Sequence, residues 1–234
     1  MKLRVIVVLG ILFLASQVNA QEKLILKNQK EKVSYSIGLN IGRNLGSDLK
    51  RQSIDIDPTI LAEGIQDALS GANPLLSNEE IQQTMVAFQK EMSEKQKQRG
   101  EAFLAENKKK EGVKTLPSGL QYKVIKEGTG KKPKLNDTVT VNYRGTQIDG
   151  TEFDSSFRRG QPVTFPVSGV IPGWTEAMQL MAEGAKWQLF IPPNLAYGER
   201  GKGALIGPNA TLIFEVELIS IQENKQEKKE ENKK

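Results

Sequence analysis

The chain contains no cysteine and no histidine. These two absences remove whole classes of chemistry. No Cys-His or Ser-His-Asp nucleophile can be assembled, and no Cys/His zinc site. Haem ligation by His or Cys and thioredoxin-type redox chemistry are excluded as well. No disulfide can staple the fold, so folding must rest on packing. Aromatic residues are also scarce, at 6% of 234 residues. Any catalysis must therefore use carboxylates, Lys, Tyr, Ser/Thr, backbone groups or the shape of a pocket. A composition of 38% hydrophobic and 26% charged residues suits a soluble chain of one or two domains with modest cores.

Long apolar runs are missing except near the start. Lys2 and Arg4 precede an almost unbroken apolar stretch from Val5 to Ala15, and Val18-Asn19-Ala20 follows. The stretch is about half the roughly twenty residues that a membrane-spanning helix needs. A positive n-region, a short apolar core and small residues before a cut are the pattern of a secretory signal peptide. The expectation is a leader over 1–20, a mature chain from Gln21 and a periplasmic location, with or without association with the outer membrane or cell surface. Loss of Lys2 and Arg4 takes the formal charge from +5 to +3, two fewer. A chain so near neutrality is not expected to bind nucleic acid, which calls for a larger basic stripe on one face.

Three changes of pattern divide the rest. Residues 21–76 read as short helices. Over Glu31–Lys50, Val33, Ile37, Ile41, Leu45 and Leu49 recur every four residues, and Gly38, Gly42 and Gly46 form a second row beside them. Three helix glycines, each costing about 1 kcal/mol against Ala, suggest that another backbone passes close. Asp57 as N-cap and Pro58 at the first helical position open a second helix that stops near Gly71. A unit this small rarely supplies a sufficient core by itself, and a second copy would complete it. A homodimer through the N-terminal helices is the expectation.

Residues 77–111 read as one long connecting helix. Ser77 and Glu80 form a capping box. Ile81, Met85, Phe88 and Met92 keep an apolar stripe that ends at Glu94–Glu101, a segment polar on every face. Such a stretch is expected to be a solvated bridge that holds the next domain at a distance. Residues 112–221 carry half-buried strand patterns at Leu120–Ile125, Thr138–Tyr143, Val163–Val167, Lys186–Ile191 and Thr211–Ile221, and one short helix, Gly173–Met181. The fold class is α+β: an antiparallel sheet with a short helix against it, joined by a long helix to a small all-α dimerisation domain. The tail, 222–234, has five Lys, four Glu and no apolar residue. It has nothing to bury and is expected to be disordered.

The usual ligand motifs are missing. Gly198-Glu-Arg-Gly201-Lys-Gly203 is rich in glycine but lacks the ending of a P-loop and does not match G-x-G-x-x-G. Asp149, Glu152 and Asp154 cluster at a turn without the oxygen count that calcium requires. Neither a cofactor nor a metal is expected. The remaining chemistry is aromatic and apolar. Tyr143, Phe153, Phe165, Trp174, Tyr197 and Phe214 all fall in 112–221, and composition does not separate a core from a pocket.

Five segments carry a resemblance. Val139-Thr-Val-Asn-Tyr-Arg-Gly, Gly150-Thr-Glu-Phe-Asp-Ser-Ser, Val170-Ile-Pro-Gly-Trp, Leu195-Ala-Tyr-Gly and Ala210-Thr-Leu-Ile-Phe-Glu-Val-Glu-Leu resemble the FKBP-type peptidyl-prolyl isomerases, in order and spacing. With the leader, the N-terminal helices and the long helix, the chain is similar to bacterial macrophage infectivity potentiator proteins and their periplasmic relatives. The resemblance implies a five- to six-stranded antiparallel half-barrel wrapped around a short helix. It implies a proline pocket with Trp174 as floor and Tyr143, Phe153, Val170, Ile171 and Phe214 as walls. Asp154 and Tyr197 would supply polar contacts, and the backbone N–H of Ile171 would meet a substrate carbonyl. Macrolide inhibitors of this class are implied as ligands. Val163 at the rim, Lys202 on the flap and Gly207 before Pro208 depart from the common pattern, while Leu205 keeps the apolar flap contact.

Prolyl isomerisation also fits a chain without His or Cys. Rotation about an X–Pro bond breaks no bond and needs no nucleophile; its barrier, about 18–20 kcal/mol, comes from lost amide resonance. A pocket that fits the twisted amide better than either planar isomer lowers that barrier. The expected function is a peptidyl-prolyl cis-trans isomerase acting on proline-containing chains and assisting the folding of exported proteins. The alternative is a chaperone whose pocket mainly recognises proline in unfolded segments.

Overall fold

A computed structural model describes residues 25–51, 54–203 and 205–224. The expected leader lies outside these residues, as does the charged tail from 225 onward. The chain divides into two units, one ending at Leu75 and the other starting at Leu76.

The first unit holds two helices, α1 (Gln29–Arg51) and α2 (Pro58–Ser70). At the start of α1, the Asn28 side chain accepts from the Glu31 N–H at 3.0 Å and donates to the Glu31 carboxylate at 2.7 Å. This cap starts the helix two residues before the apolar ridge predicts. Asp57 caps α2, accepting from the Thr59 and Ile60 amides, and Gly71 ends it in the left-handed region at φ 72°. Among the described residues, much of both apolar faces stays exposed. Val33, Ile37 and Ile41 are about half exposed, Ile60 is 68% exposed and Leu69 85%. A Cβ built on Gly38, Gly42 or Gly46 would meet nothing within 4 Å.

The second unit opens with α3 (Asn78–Asn107). Its capping box is present in both directions: the Glu80 N–H donates to Ser77 Oγ, and the Ser77 N–H donates to the Glu80 carboxylate at 2.8 Å. The Ser77 backbone hydrogen bond holds that carboxyl below its usual range. The C-terminal half of the helix departs from the expected solvated bridge. Gly100 is buried, and a Cβ there would collide with the Thr211 hydroxyl. Phe103 packs on Phe190 with ring centroids 6.0 Å apart. Asn107, also buried, donates to Gln121 at 3.0 Å, and Gln121 in turn donates to the Leu104 carbonyl. Ser93 accepts from Asn209 at 2.9 Å. The polar letters of this stretch hid one glycine and one phenylalanine, which with Ser93 and Asn107 seat it on the outer face of the sheet.

Seven strands follow: β1 (Val113–Thr115), β2 (Gln121–Lys126), β3 (Thr138–Gln147), β4 (Glu152–Ser155), β5 (Val163–Pro166), β6 (Lys186–Ile191) and β7 (Leu212–Gln222). They form one antiparallel sheet in the order β1-β2-β6-β7-β3-β4, with β5 also on β3. One edge of β3 pairs with β7 along its length, while the other takes β5 over 138–141 and β4 over 144–146. The count exceeds the expected five or six because β1 and β4 are three and four residues long, too short to show an alternating pattern. In β7, Leu212, Phe214, Val216 and Leu218 point inward as predicted. A register shift there leaves Ile219 as an extra residue and breaks the alternation. Strand β7 ends at Gln222, and the next two residues are still held: Glu223 pairs with Lys131 and the Asn224 N–H donates to Asp137.

One short helix, α4 (Pro172–Leu180), lies against the inner face. Pro172 sits at its first position, where no N–H is required. Its apolar side, Trp174, Ala177 and Met178, is buried with Met181 among Leu120, Val139, Leu189, Ile191, Leu212 and Val216. Each buried Val, Leu, Ile or Met side chain among them contributes about 1.5–3 kcal/mol by leaving water. Gly173 lets the helix approach the sheet, because a Cβ there would come within 2.6 Å of Ile191.

Candidate functional site

A cavity of about 610 Å³ opens between α4, the middle of the sheet and the loop residues Tyr197, Lys202, Gly203, Leu205 and Ile206. Trp174 forms its floor and is 4% exposed. Four aromatic rings meet Trp174 or one another nearly edge to face. Tyr143 lies 5.3 Å from Trp174 at 89°, Phe214 5.1 Å at 86°, and Phe165 5.4 Å at 63°. Phe153 contacts Phe214 at 5.4 Å and 85°. Such arrangements set positive ring edges against negative faces. They are available because β3 carries Gly145 opposite Phe214: a Cβ there would come within 2.7 Å of both the Phe153 and Phe214 rings.

The polar side of the cavity is a closed triangle. The Tyr143 hydroxyl donates to Asp154 Oδ2 at 2.6 Å. Arg159 donates to Asp154 Oδ1 at 2.6 Å and to the Tyr143 hydroxyl at 3.1 Å. The Ser155 N–H adds a bond to Oδ1 at 2.9 Å. Ser156 ties the strands beneath: its N–H donates to the Tyr143 carbonyl, and its Oγ accepts from the Tyr143 N–H at 2.9 Å. Burial first, then the hydrogen bond to Asp154, pushes the Tyr143 hydroxyl up to about 12. Both Asp154 oxygens are thus engaged, and Tyr143 keeps its proton at every physiological pH.

Tyr197 lies across the cavity in the loop after β6, as the N-cap of the 3₁₀ turn Gly198–Arg200. Its hydroxyl accepts from Lys202 Nζ at 3.3 Å, and the same ammonium lies 4.9 Å from its ring centroid. The Tyr197 proton therefore remains available to a ligand. Ile171 is the N-cap of α4, with extended backbone at φ −61°, ψ 148°, and Val170 precedes it. Leu205 and Ile206 close the far rim.

Of the residues singled out in the sequence, Tyr143, Phe153, Asp154, Val170, Ile171, Trp174, Tyr197, Leu205 and Phe214 line this one cavity. Val163 does not; it pairs with Val141 at the start of β5 and packs against the core. Phe165, two residues on and on the same face of β5, lines the cavity in its place. Gly169, Lys202, Gly203 and Ile206 also line it. Arg159 was not legible as a site residue: it follows Phe157 and Arg158 in a 3₁₀ turn, and its only sequence signal is its distance of five residues from Asp154.

The comparisons with known proteins agree with this geometry. The sequence model described as FKBP-type peptidyl-prolyl cis-trans isomerase matches residues 129–219, and the one described as the domain amino terminal to it matches 30–124. The outer membrane protein MIP of Legionella longbeachae is 48% identical over 233 residues, covering 95% of this chain and 98% of that protein. The peptidyl-prolyl cis-trans isomerase FkpA of Escherichia coli K12 is 42% identical, covering 87% and 80%. A crystal structure of FkpA from Escherichia coli superposes with a TM-score of 0.58 at 40% identity, covering 85% of this chain and 99% of that one. With the two models together matching residues 30–124 and 129–219, and with relatives 42–48% identical over most of the chain, the chain belongs to the FKBP-type peptidyl-prolyl cis-trans isomerases.

Proposed function

We propose that the aromatic cavity is where this isomerase twists an X–Pro amide. The observation that carries the reading is the pairing of an apolar floor, Trp174, with polar groups whose protons are already assigned. A proline ring fits an apolar box of edge-on aromatics. As the amide twists, it loses resonance and charge separation, so its transition state is less polar than either planar isomer. A dry cavity favours the less polar state, and this differential binding lowers the barrier. The Ile171 N–H and the Tyr197 hydroxyl hold the flanking carbonyls. Arg159 and Tyr143 hold the Asp154 carboxyl rigid, a fixed polar group at the wall that needs no reorganisation during rotation. Rotation itself transfers no proton, in keeping with a site that has no His and a tyrosine held near 12.

The finer reading extends to setting. The uncovered ridges of α1 and α2 favour a homodimer in which Val33, Ile37 and Ile41 meet a second copy. The leader pattern at the start of the sequence favours export to the periplasm, where the substrates are proline-containing chains still folding. No helix among the described residues is long and apolar enough to cross a membrane. The test is catalysed cis–trans exchange of a short X–Pro peptide, followed by two-dimensional exchange NMR. Folded Asp154→Ala, Trp174→Ala and Tyr197→Ala variants should lose activity; full activity in all three would reject the cavity as the site.

A further inference from the structure

We infer that Lys202 makes this isomerase favour prolines flanked by an acidic residue. The inference rests on the isomerase reading above and concerns which substrates the same cavity takes. Two lining side chains carry full charge, Asp154 and Lys202. The charge of Asp154 is matched within the fold by Arg159 at 2.6 Å. Lys202 has no such match: among the described residues its ammonium contacts only the ring and hydroxyl of Tyr197, and no carboxylate lies within ion-pair distance. A positive charge without a carboxylate partner among the described residues therefore sits at the mouth of the cavity, across from an Asp154 already matched by Arg159.

The backbone that carries it is tightly specified. The Lys202 N–H donates to the Ile206 carbonyl at 2.7 Å, and the Ile206 N–H donates back at 3.3 Å. Gly201 has φ 64°, and a Cβ there would run into the Ile206 and Gly207 backbone, so no other residue fits. Gln147 on β3 donates to the Leu205 carbonyl at 2.7 Å, and the Asn209 N–H closes the base of the segment on the Gly198 carbonyl. The ammonium stands over the Tyr197 ring and beside the hydroxyl that the isomerase reading assigns to a substrate carbonyl. A carboxylate one residue from the proline comes within reach of it, while a cationic residue there is repelled.

The test compares peptide pairs with blocked ends that differ only in Glu against Gln, once before the proline and once after it. Catalysed exchange is measured by NMR with the full mature chain. For at least one pair the Glu/Gln rate ratio should be about threefold higher in the wild type than in Lys202→Gln, the range of an exposed ion pair. It should fall further in Lys202→Glu, and the wild-type advantage should shrink with added salt. Catalysed exchange with ratios identical in all three proteins overturns the inference and leaves the isomerase reading intact. No catalysed exchange on any peptide overturns that reading and this inference together.

Discussion

At the scale of single residues, the site is decided by which protons are already committed. Tyr143, Asp154 and Arg159 saturate one another, so none of them is poised to exchange a proton during turnover. Two outcomes follow. Activity on an uncharged peptide should be flat from about pH 6 to pH 8, because no His is present and Tyr143 is held near 12. A solvent deuterium isotope effect close to one should accompany it; a bell-shaped profile with a large isotope effect would mean that proton transfer limits the rate. Stability has its own signature. The Tyr143 pKa is raised above the unfolded value of about 10, so its contribution is complete below pH 10 and is lost as the pH climbs toward 12. Urea midpoints should therefore drop more steeply between pH 10 and 12 for the wild type than for Tyr143→Phe, and parallel curves would contradict the assignment. Most cavity residues were legible because whole motifs named them. Arg159 and Phe165 were not: one reaches the site through a turn, and the other sits where strand alternation reads the same for a core residue.

At the scale of elements, caps and glycines set what the hydrophobic pattern left open. Asp57, Pro58, Gly71 and the Ser77–Glu80 box were readable because each satisfies a helix-end donor or acceptor that has no other partner. The docking of α3 was not readable, since a polar-looking stretch reaches the sheet through Gly100, Phe103 and the polar side chains of Ser93 and Asn107. Gly100→Leu should force the helix off Thr211 and lower the thermal midpoint of the second unit, whereas Arg99→Leu, one position around the helix, should not. A fragment beginning near Gly112 leaves Phe190 and Thr211 uncovered. It should be less stable to urea than one beginning near Met92, which keeps Ser93, Gly100, Phe103 and Asn107 on the sheet. Equal midpoints would mean that these contacts contribute nothing. The short strands β1 and β4 escaped notice because three or four residues cannot establish a period of two.

At the scale of the whole molecule, the sequence carried the order of the elements further than the detail. Helices first, sheet second and one short helix inside the sheet all followed from period and punctuation. The uncovered apolar ridges of α1 and α2 are the counterpart of the small N-terminal core. Light scattering of the chain from Gln21 onward should report twice the monomer mass, and a monomer would contradict the proposed dimer. Replacing Ile37 and Ile41 together by Glu should yield monomers that still isomerise short peptides, because the cavity lies entirely in the second unit. The central claim is that an apolar cavity floored by Trp174 catalyses rotation about X–Pro bonds. The most direct measurement is the catalysed exchange rate of one X–Pro peptide with the wild type and with Trp174→Ala, the latter checked by circular dichroism because so large a core truncation costs about 3–5 kcal/mol. The account predicts strong catalysis by the wild type and a loss of at least about tenfold in the folded variant; a folded Trp174→Ala protein that isomerises at the wild-type rate would contradict it.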